Sequence, residues 1–375
     1  MGCNFNKGSQ WRKWDLHVHT PASELNNQFG SNWDEYVKLL FNTAIQKEIK
    51  AIGITDYFSI EGYKKIKTEY INDNTKLATL FADELSQDKD YISKIKQILL
   101  LPNIEFRLDK LISSKKDGKQ KRRLNYHVIF SDNINITDIE ENFLEDLKFT
   151  YEGNPHSGIE RSKLKRCNLE AFGRKLRSEH KKFMAYTDYY TGCMNATVSE
   201  VDICKILKND RPQLFQNQYV LVLAEEYWDL MDWDGQDHGV KKHLLSVSDM
   251  IFSSNKSTRQ WALTDDFKNE FGGNKPCIWG SDAHSPKELF NPDLDRYCWI
   301  KADTTFVGLL QVINEPEDRV FIGKKPEMLK ACESNKSRYI HKLDIDRIGI
   351  KAFFSSDVCA GLTIIQLILI LDLLP

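Results

Sequence analysis

A pair of histidines near the N-terminus has the spacing of a metal-binding strand. In the segment DLHVHT, His17 and His19 are two residues apart. Alternate side chains of a β-strand lie on one face, so both imidazoles project to the same side and could share a cation. Asp15 lies on that face as well, where its carboxylate could orient an imidazole. Because a His-x-His pair is common by chance, its meaning depends on the residues that accompany it.

Further ionisable side chains lie in or directly after short apolar segments. They are Asp56, Glu105, His127, Asp282 and His284. An ionisable group beside a buried strand is costly unless it has a partner. Each one alone is explained by a structural hydrogen bond. All of them together favour a shared cation site.

Short apolar segments alternate with helical patterns along most of the chain. The predicted strands are 14–18, 50–55, 103–107, 125–131, 183–187, 219–224, 250–253 and 277–280. The predicted helices are 33–48, 77–99, 136–147, 164–180, 258–270 and 305–314. This alternation is typical of an α/β fold with parallel strands joined by helical crossovers, either a barrel or a doubly wound sheet. Barrels gather active-site residues at the carboxyl ends of their strands, where these side chains are predicted to lie.

Several motifs, and their order along the chain, resemble those of the polymerase and histidinol phosphatase (PHP) family of metal-dependent phosphoesterases. The matching segments are DLHVHT, Thr55-Asp56, the isolated Glu105, the isolated His127 and GSDAH. The resemblance covers roughly residues 11–325. It implies a distorted (β/α)7 TIM-like barrel of the PHP type, with the metal site at the strand C-termini. It also implies that His17, His19, Glu105 and Asp282 hold one cation, and that Glu105 bridges to a second one held with His127.

Longer segments resemble the PHP module of TrlF-type proteins, in which an ABC/SMC-like ATPase domain follows. They are GITDYFSIEGY, PNIEFRL, NYHVIFS and the stretch from WIKADTTF to EPEDRV. We therefore expect a PHP domain at 1–325 and a linker with a remnant of the ATPase domain at 326–375. No Walker A loop of the form G-x-x-x-x-G-K-[ST] follows the GLTII segment at 361–365. The resemblance implies an ATPase partner domain, which we expect to be missing here. We also expect the sequence after about residue 365 to be non-native.

Two positions depart from the family pattern. Tyr57 stands where the family has a histidine that binds a third cation together with the His284 position. The family also has a His or Cys ligand on a later strand, and the nearest counterpart is Asp188, with an oxygen ligand. We therefore expect one or two divalent cations. Mixed histidine and carboxylate ligands suit Mn²⁺, Zn²⁺ or Fe²⁺ and do not distinguish among them.

Asp56 and Arg107 are the candidate catalytic residues. Arg107 follows Glu105 by two residues on a predicted strand, so it faces the same side and could contact a substrate phosphate. Lys and Arg are frequent throughout 107–123, which is either an exposed charged loop or hairpin, or a surface that holds a polyanion.

These observations predict a hydrolase that cleaves phosphate esters of nucleic acid or nucleotides, since paired cations can clamp a phosphate and activate water. Two alternatives stay open, namely a non-catalytic PHP module that binds nucleic acid or a partner, and a phosphatase of the histidinol-phosphate kind. The formal net charge of −2 gives no global attraction to nucleic acid, so a local basic patch is needed. The eight cysteines form no C-x-x-C pair, and no apolar stretch is long enough for a membrane. A cytoplasmic protein is expected.

Overall fold

The computed structural model describes residues 10–113, 121–151, 160–226, 228, 235 and 237–334. Three lysines of the basic segment (Lys115, Lys116 and Lys119) lie outside these residues. The C-terminal segment after 334 lies outside them too, so the expectations about an ATPase remnant stay predictions.

Within the described ranges, nine strands form one sheet and two form a separate hairpin. The strands are β1 (Trp11–His19), β2 (Ile49–Tyr57), β3 (Leu99–Ser113), β4 (Lys121–Phe130), β5 (Lys148–Tyr151), β6 (Glu160–Lys163), β7 (Tyr219–Ala224), β8 (Met250–Phe252), β9 (Cys277–Ile278), β10 (Cys298–Lys301) and β11 (Val320–Ile322). The order in the large sheet is β11–β10–β1–β2–β3–β4–β7–β8–β9, and β5 pairs with β6.

The large sheet curls until it nearly closes into a barrel. The segment after β9 returns to β1, where the His19 amide donates to Ala283 O over 3.0 Å and the Asp282 amide donates to His17 O over 2.9 Å. An α/β barrel-like fold is therefore present, as the alternation predicts. The sheet contains nine strands and not seven, because β10 pairs antiparallel with the first half of β1 and β11 extends it.

The middle of the sheet departs from the expected parallel arrangement. β3 and β4 form an antiparallel pair, and β4 is antiparallel to β7 as well. The reason is that only seven residues separate β3 from β4, whereas a crossover between parallel strands needs a dozen or more. Both ends of the basic segment 107–123 are therefore strands of a hairpin.

The helices surround this sheet. They are α1 (Trp33–Gln46), α2 (Glu61–Lys65), α3 (Asn74–Leu80), α4 (Ala82–Gln87), α5 (Tyr91–Lys96), α6 (Ile136–Ile139), α7 (Arg166–Glu179), α8 (Asp188–Asn195), α9 (Glu200–Lys205), α10 (Pro212–Phe215), α11 (His238–Val247), α12 (Lys256–Trp261), α13 (Asp265–Phe271), α14 (Phe306–Asn314), α15 (Pro316–Arg319) and α16 (Glu327–Ser334). None of the helices in the described ranges combines the length and apolar character needed to cross a membrane.

Three predicted elements are wrong. The predicted helix 258–270 is two separate helices, α12 and α13. The predicted helix 77–99 is broken into α3, α4 and α5, partly because the Asp88 carboxylate accepts a hydrogen bond from the Asp90 amide and competes with the helix. The predicted strand 183–187 is a short 3₁₀ turn, Lys181–Phe183, and a loop. Thr187 then caps α8 by accepting from the Tyr190 amide, which fixes the start of a helix where the sequence suggested a strand end.

Candidate metal centre

Four side chains from three parts of the barrel converge on one point. They are His17 and His19 of β1, Glu105 of β3, and Asp282 just after β9. His17 Nε2 lies 3.1 Å from His19 Nε2. It also lies 3.1 Å from Glu105 Oε2 and 3.1 Å from Asp282 Oδ1. His19 Nε2 lies 3.2 Å from the same Glu105 oxygen and 3.4 Å from the same Asp282 oxygen.

The spacing of these four atoms fits a divalent cation. Ligand atoms placed tetrahedrally about 2.0–2.1 Å from an ion stand about 3.3–3.4 Å from one another. The observed separations run from 3.1 to 3.4 Å. Two imidazole nitrogens and two carboxylate oxygens are also a common ligand set for first-row metals. The cluster could therefore hold a metal ion.

The electrostatics of the cluster couple the imidazoles to the carboxylates. Burial lowers the pKa of His17, but Asp282 and Glu105 outweigh that effect and raise this pKa to about 9. Burial raises the pKa of Glu105, yet its hydrogen bonds with His17 and His19 bring the pKa below its usual range. The carboxylates of Glu105 and Asp282 favour a positive charge at the centre of the cluster. A cation would replace the imidazole protons.

His127 of β4 presents an unpartnered nitrogen beside the cluster. It lies opposite Glu105 in the β3–β4 ladder, and its ring centroid is 4.6 Å from that of His17. Its Nδ1 donates to Asn103 Oδ1 over 3.2 Å, whereas the buried Nε2 has no hydrogen-bond partner among the described residues. Burial and the neighbouring His17 lower the pKa of His127 to about 3, so the ring is neutral. A neutral imidazole with a free Nε2 lone pair is ready to bind a cation.

Asp56 lies behind His19 rather than in the cluster. His19 Nδ1 donates to Ser23 Oγ over 2.7 Å, because the Ser23 hydroxyl hydrogen is directed to Asp56 Oδ1 at 2.9 Å or to Thr55 O at 3.1 Å. The Asp56 carboxylate also accepts from Thr20 Oγ1 and from the Gly62 amide, each over 2.7 Å. The Asp56 carboxylate therefore lies outside the cluster, and a catalytic role for it stays a prediction.

Asp15 positions backbone and not an imidazole ring, contrary to the sequence expectation. Its Oδ1 accepts from the Ser281 amide over 2.9 Å and from the His17 amide over 3.3 Å.

Gly280 lies in the turn before Ser281, and a Cβ at this glycine would lie only 2.6 Å from His17 Cβ. Asp282 has a φ of 50°, in the left-handed region, and its side chain is 50% exposed toward the cavity. This tight turn therefore sets the position of one carboxylate of the cluster and leaves it exposed in the cavity.

His284 and Tyr57 extend the cluster on the side of His19. His284 Nδ1 donates to Asn26 O over 3.0 Å, and its Nε2 lies 3.3 Å from Asp282 Oδ1. The His284 ring stacks on that of His19 and is parallel to that of Tyr57. Burial, followed by the charges of Glu105 and Asp282, raises the pKa of the Tyr57 phenol, which stays protonated. Neutral phenol is a poor ligand, so the third-cation position lacks a good donor at residue 57.

Comparison with known proteins gives only weak similarity. No protein-family model matches the chain, and no curated protein does. A solved structure from Bifidobacterium adolescentis, provisionally described as a metal-dependent phosphoesterase, is 13% identical with a TM-score of 0.36, over 81% of this chain and 96% of that chain. An amidohydrolase from Chromobacterium violaceum with bound sulfate and no metal is 12% identical with a TM-score of 0.32, over 74% and 89%. These scores assign the chain to no family.

Asp188 does not join the cluster. It is the first residue of α8, and its carboxylate pairs with Arg177 and, over 3.0 Å, with Arg174. These two guanidinium groups lower its pKa, with Arg177 as the main cause. The suggestion that Asp188 replaces the late ligand is therefore corrected, because α7 holds the side chain elsewhere.

A cavity of about 800 Å³ opens in front of the cluster, and His17, His127 and Asp282 line it. Its wall also contains residues that the sequence analysis did not single out, namely Glu226, Trp228, Lys256, Arg259, Trp279 and Arg296. The Glu225-Glu226 pair directly follows strand β7, which is the signal that could have identified Glu226. Burial, then Glu105 and Asp282, raise the pKa of Glu226 to about 7.

Arg107 lines a neighbouring cavity of about 510 Å³, together with Arg122, Arg123, Asn125 and Glu226. Its Nη1 donates to Met194 O over 3.0 Å. Arg107 therefore lies beside the cluster's cavity, with Glu226 in the wall of both.

Proposed function

We propose that the chain is a metal-dependent phosphoester hydrolase that acts on nucleic acid or nucleotides. The observation that carries the proposal is the convergence of four ligand atoms, with separations of 3.1–3.4 Å between those measured, next to the unpartnered Nε2 of His127. The resemblance of the motifs to the PHP module of TrlF-type proteins supports the same activity and a distorted barrel of that type.

His17, His19, Glu105 and Asp282 would hold a first cation, and His127 would help to hold a second one near Glu105. A divalent cation there supplies Lewis acidity toward a phosphoryl oxygen and lowers the pKa of nearby water. The side chains supply orientation, since Asn103, Ser23 and Asn26 each accept from an imidazole Nδ1 and turn Nε2 toward the cluster.

Cationic side chains in the cavity wall suit the phosphate of a substrate. Lys256, Arg259 and Arg296 form no ion pair with a carboxylate among the described residues. Arg296 Nη1 donates to Ser254 Oγ over 3.0 Å, and the buried Arg259 Nε has no hydrogen-bond partner in the described part of the chain. Guanidinium groups of this kind bind phosphate oxygens strongly.

The test is Mn²⁺-dependent cleavage of labelled DNA, RNA, nucleotides and bis(p-nitrophenyl) phosphate. Wild-type protein is expected to cleave at least one of them, and the His17→Ala/His19→Ala double variant is expected to lose that activity. Unchanged cleavage by the double variant would contradict the proposal.

Tyr57 favours a second candidate, a PHP-like module that binds nucleic acid or a partner without cutting. Its neutral phenol occupies the position where the PHP pattern has a histidine ligand. The two candidates differ in one result. Stoichiometric cation binding without cleavage of any of these substrates would support the non-catalytic module.

A further inference from the structure

The second cavity contains an arginine that forms no ion pair within the described part of the chain. Arg107 has one hydrogen bond, to the Met194 carbonyl, and no carboxylate pairs with it among the described residues. By contrast, Lys110 on the same strand pairs with Asp109 and Glu200. A half-buried guanidinium without an anionic partner is favourable only when water or an anionic ligand satisfies its remaining donors.

The position of Arg107 relates it directly to the cluster. Glu105 and Arg107 are alternate residues of β3, so their Cα atoms are about 6.6–6.8 Å apart. Glu105 faces His127 in the ladder, and Arg107 faces Asn125. The Asn125 Nδ2 donates to Glu226 Oε2 over 3.0 Å, and Glu226 lines both cavities. The two cavities therefore share Glu226 in their walls.

Both cavity walls contain cationic side chains, and the wall at the cluster also contains aromatic ones. The cavity at the cluster contains Trp228, Trp279 and Phe252, and the indole Nε1 atoms of both tryptophans are buried without a hydrogen-bond partner in the described ranges. The second cavity contains Arg107, Arg122 and Arg123. Aromatic side chains beside a cationic groove are the combination that binds single-stranded nucleic acid, because bases stack while phosphates contact cations.

We infer that the cavity at Arg107 binds the phosphate adjacent to the scissile one, so the substrate is a single-stranded polynucleotide rather than a mononucleotide. This inference rests on the proposed hydrolase function and assigns the substrate class of the same site. Glu226 lies between the two phosphate positions, where its ionised carboxylate would repel the chain. The Asn125 amide already donates to that carboxylate, over 3.0 Å.

Fluorescence anisotropy of Mn²⁺-loaded protein with a fluorescein-labelled single-stranded oligonucleotide tests the subsite. Arg107→Ala is expected to weaken binding about 10- to 100-fold, the contribution of a charged hydrogen bond. The slope of log affinity against log salt is expected to fall by about 0.7, for one lost phosphate contact. Affinity for adenosine monophosphate, with one phosphate, is expected to fall much less. Lys205→Ala, which removes an equal charge from an exposed position paired with Asp210, is the matched control and is expected to bind like the wild type.

Three outcomes would overturn the inference. They are equal oligonucleotide affinities for Arg107→Ala and Lys205→Ala, an equal loss for oligonucleotide and mononucleotide, and tighter binding of a duplex than of its single strand. Arg107→Gln keeps a donor for the Met194 carbonyl and replaces Arg107→Ala if the latter does not fold. This experiment measures binding and not cleavage. A protein that cleaves none of the substrates would contradict the proposed hydrolase, whereas the subsite is tested by the oligonucleotide affinities alone.

Discussion

The side-chain oxygen of Asn103 accepts a hydrogen bond from His127 Nδ1 over 3.2 Å and so determines which nitrogen of His127 is free. The Asn103 amide cannot be reversed, because its Nδ2 donates to Leu16 O and to Thr55 Oγ1, each over 2.9 Å. His127 Nε2 is therefore an acceptor, and it is buried without a partner among the described residues. In the proposed function, this contact prepares His127 to help hold the second cation.

Replacing Asn103 by Leu is predicted to weaken binding of the second cation about 10- to 100-fold while the first cation binds normally. The reason is that His127 loses the partner that fixes its tautomer, whereas the ligands of the first cation keep theirs. Calorimetric titration with Mn²⁺ measures both events. Asn142→Leu, at a half-buried asparagine that bonds Asp138, is the matched control. Identical titrations of the two variants would contradict the assignment.

Ser23→Ala is predicted to lower the affinity for the first cation about tenfold. The substitution removes the acceptor of His19 Nδ1 and breaks the connection from His19 to Asp56. Ser59 is also buried, but its one hydrogen bond is a long contact of 3.5 Å with the Glu61 amide. Ser59→Ala is therefore the control and is expected to keep wild-type affinity in the same titration. Equal affinities for both variants would show that Ser23 does not position His19.

Asp56 is predicted to make stability depend on pH. Burial raises its pKa to about 6, above that of an unfolded aspartate, so the folded state binds the proton more tightly. The resulting stabilisation is complete below about pH 4 and is lost as pH rises through 6, amounting to about 1–2 kcal/mol between pH 5 and 7.5. Chemical denaturation of metal-free protein at several pH values measures it. The difference in unfolding free energy between wild type and Asp56→Asn should change across this range, and a constant difference would contradict the prediction.

Gly280→Ala is predicted to destabilise the protein by several kcal/mol and to weaken cation binding. A Cβ at Gly280 would lie 2.6 Å from His17 Cβ and 2.7 Å from His17 N, so β1 or the turn must move. Gly239, in α11, has nothing within 4 Å of such a Cβ, and Ala there should stabilise by about 0.5–1 kcal/mol. Thermal unfolding and Mn²⁺ titration of both variants check this pair. A Gly280→Ala protein as stable as Gly239→Ala would show that the close approach is not required.

The sequence predicts the residues of the cluster because each belongs to a strand or its end that is recognisable by itself. His17 and His19 share one strand face, and Glu105, His127 and Asp282 each accompany an apolar segment. The apolar alternation is similarly sufficient to predict β7, whose bounds the structure reproduces. Local patterns therefore identify these elements and the residues on them.

The residues that the sequence misplaces depend on contacts between distant segments. β4 and β7 are neighbours in the sheet although nearly ninety residues separate them, so the sequence does not indicate that Glu226 follows the strand beside His127. The order of the motifs along the chain suggests Asp188 as the counterpart of the late ligand. Arg174 and Arg177 instead bind it one helical turn apart on α7. Asp56 lies at a strand end like the ligands, and only the positions of Thr20, Ser23 and Gly62 reveal that its carboxylate faces away.

The most direct test of the central claim is the metal content of purified protein after loading with Mn²⁺ and removal of free ions. Inductively coupled plasma mass spectrometry should find one or two cations per chain in the wild type and less than a tenth of that in the His17→Ala/His19→Ala double variant. The His180→Ala/His238→Ala double variant removes two histidines outside the cluster and should retain the wild-type content. If the His17→Ala/His19→Ala protein is folded and holds as much metal as the wild type, the cluster is not a metal site.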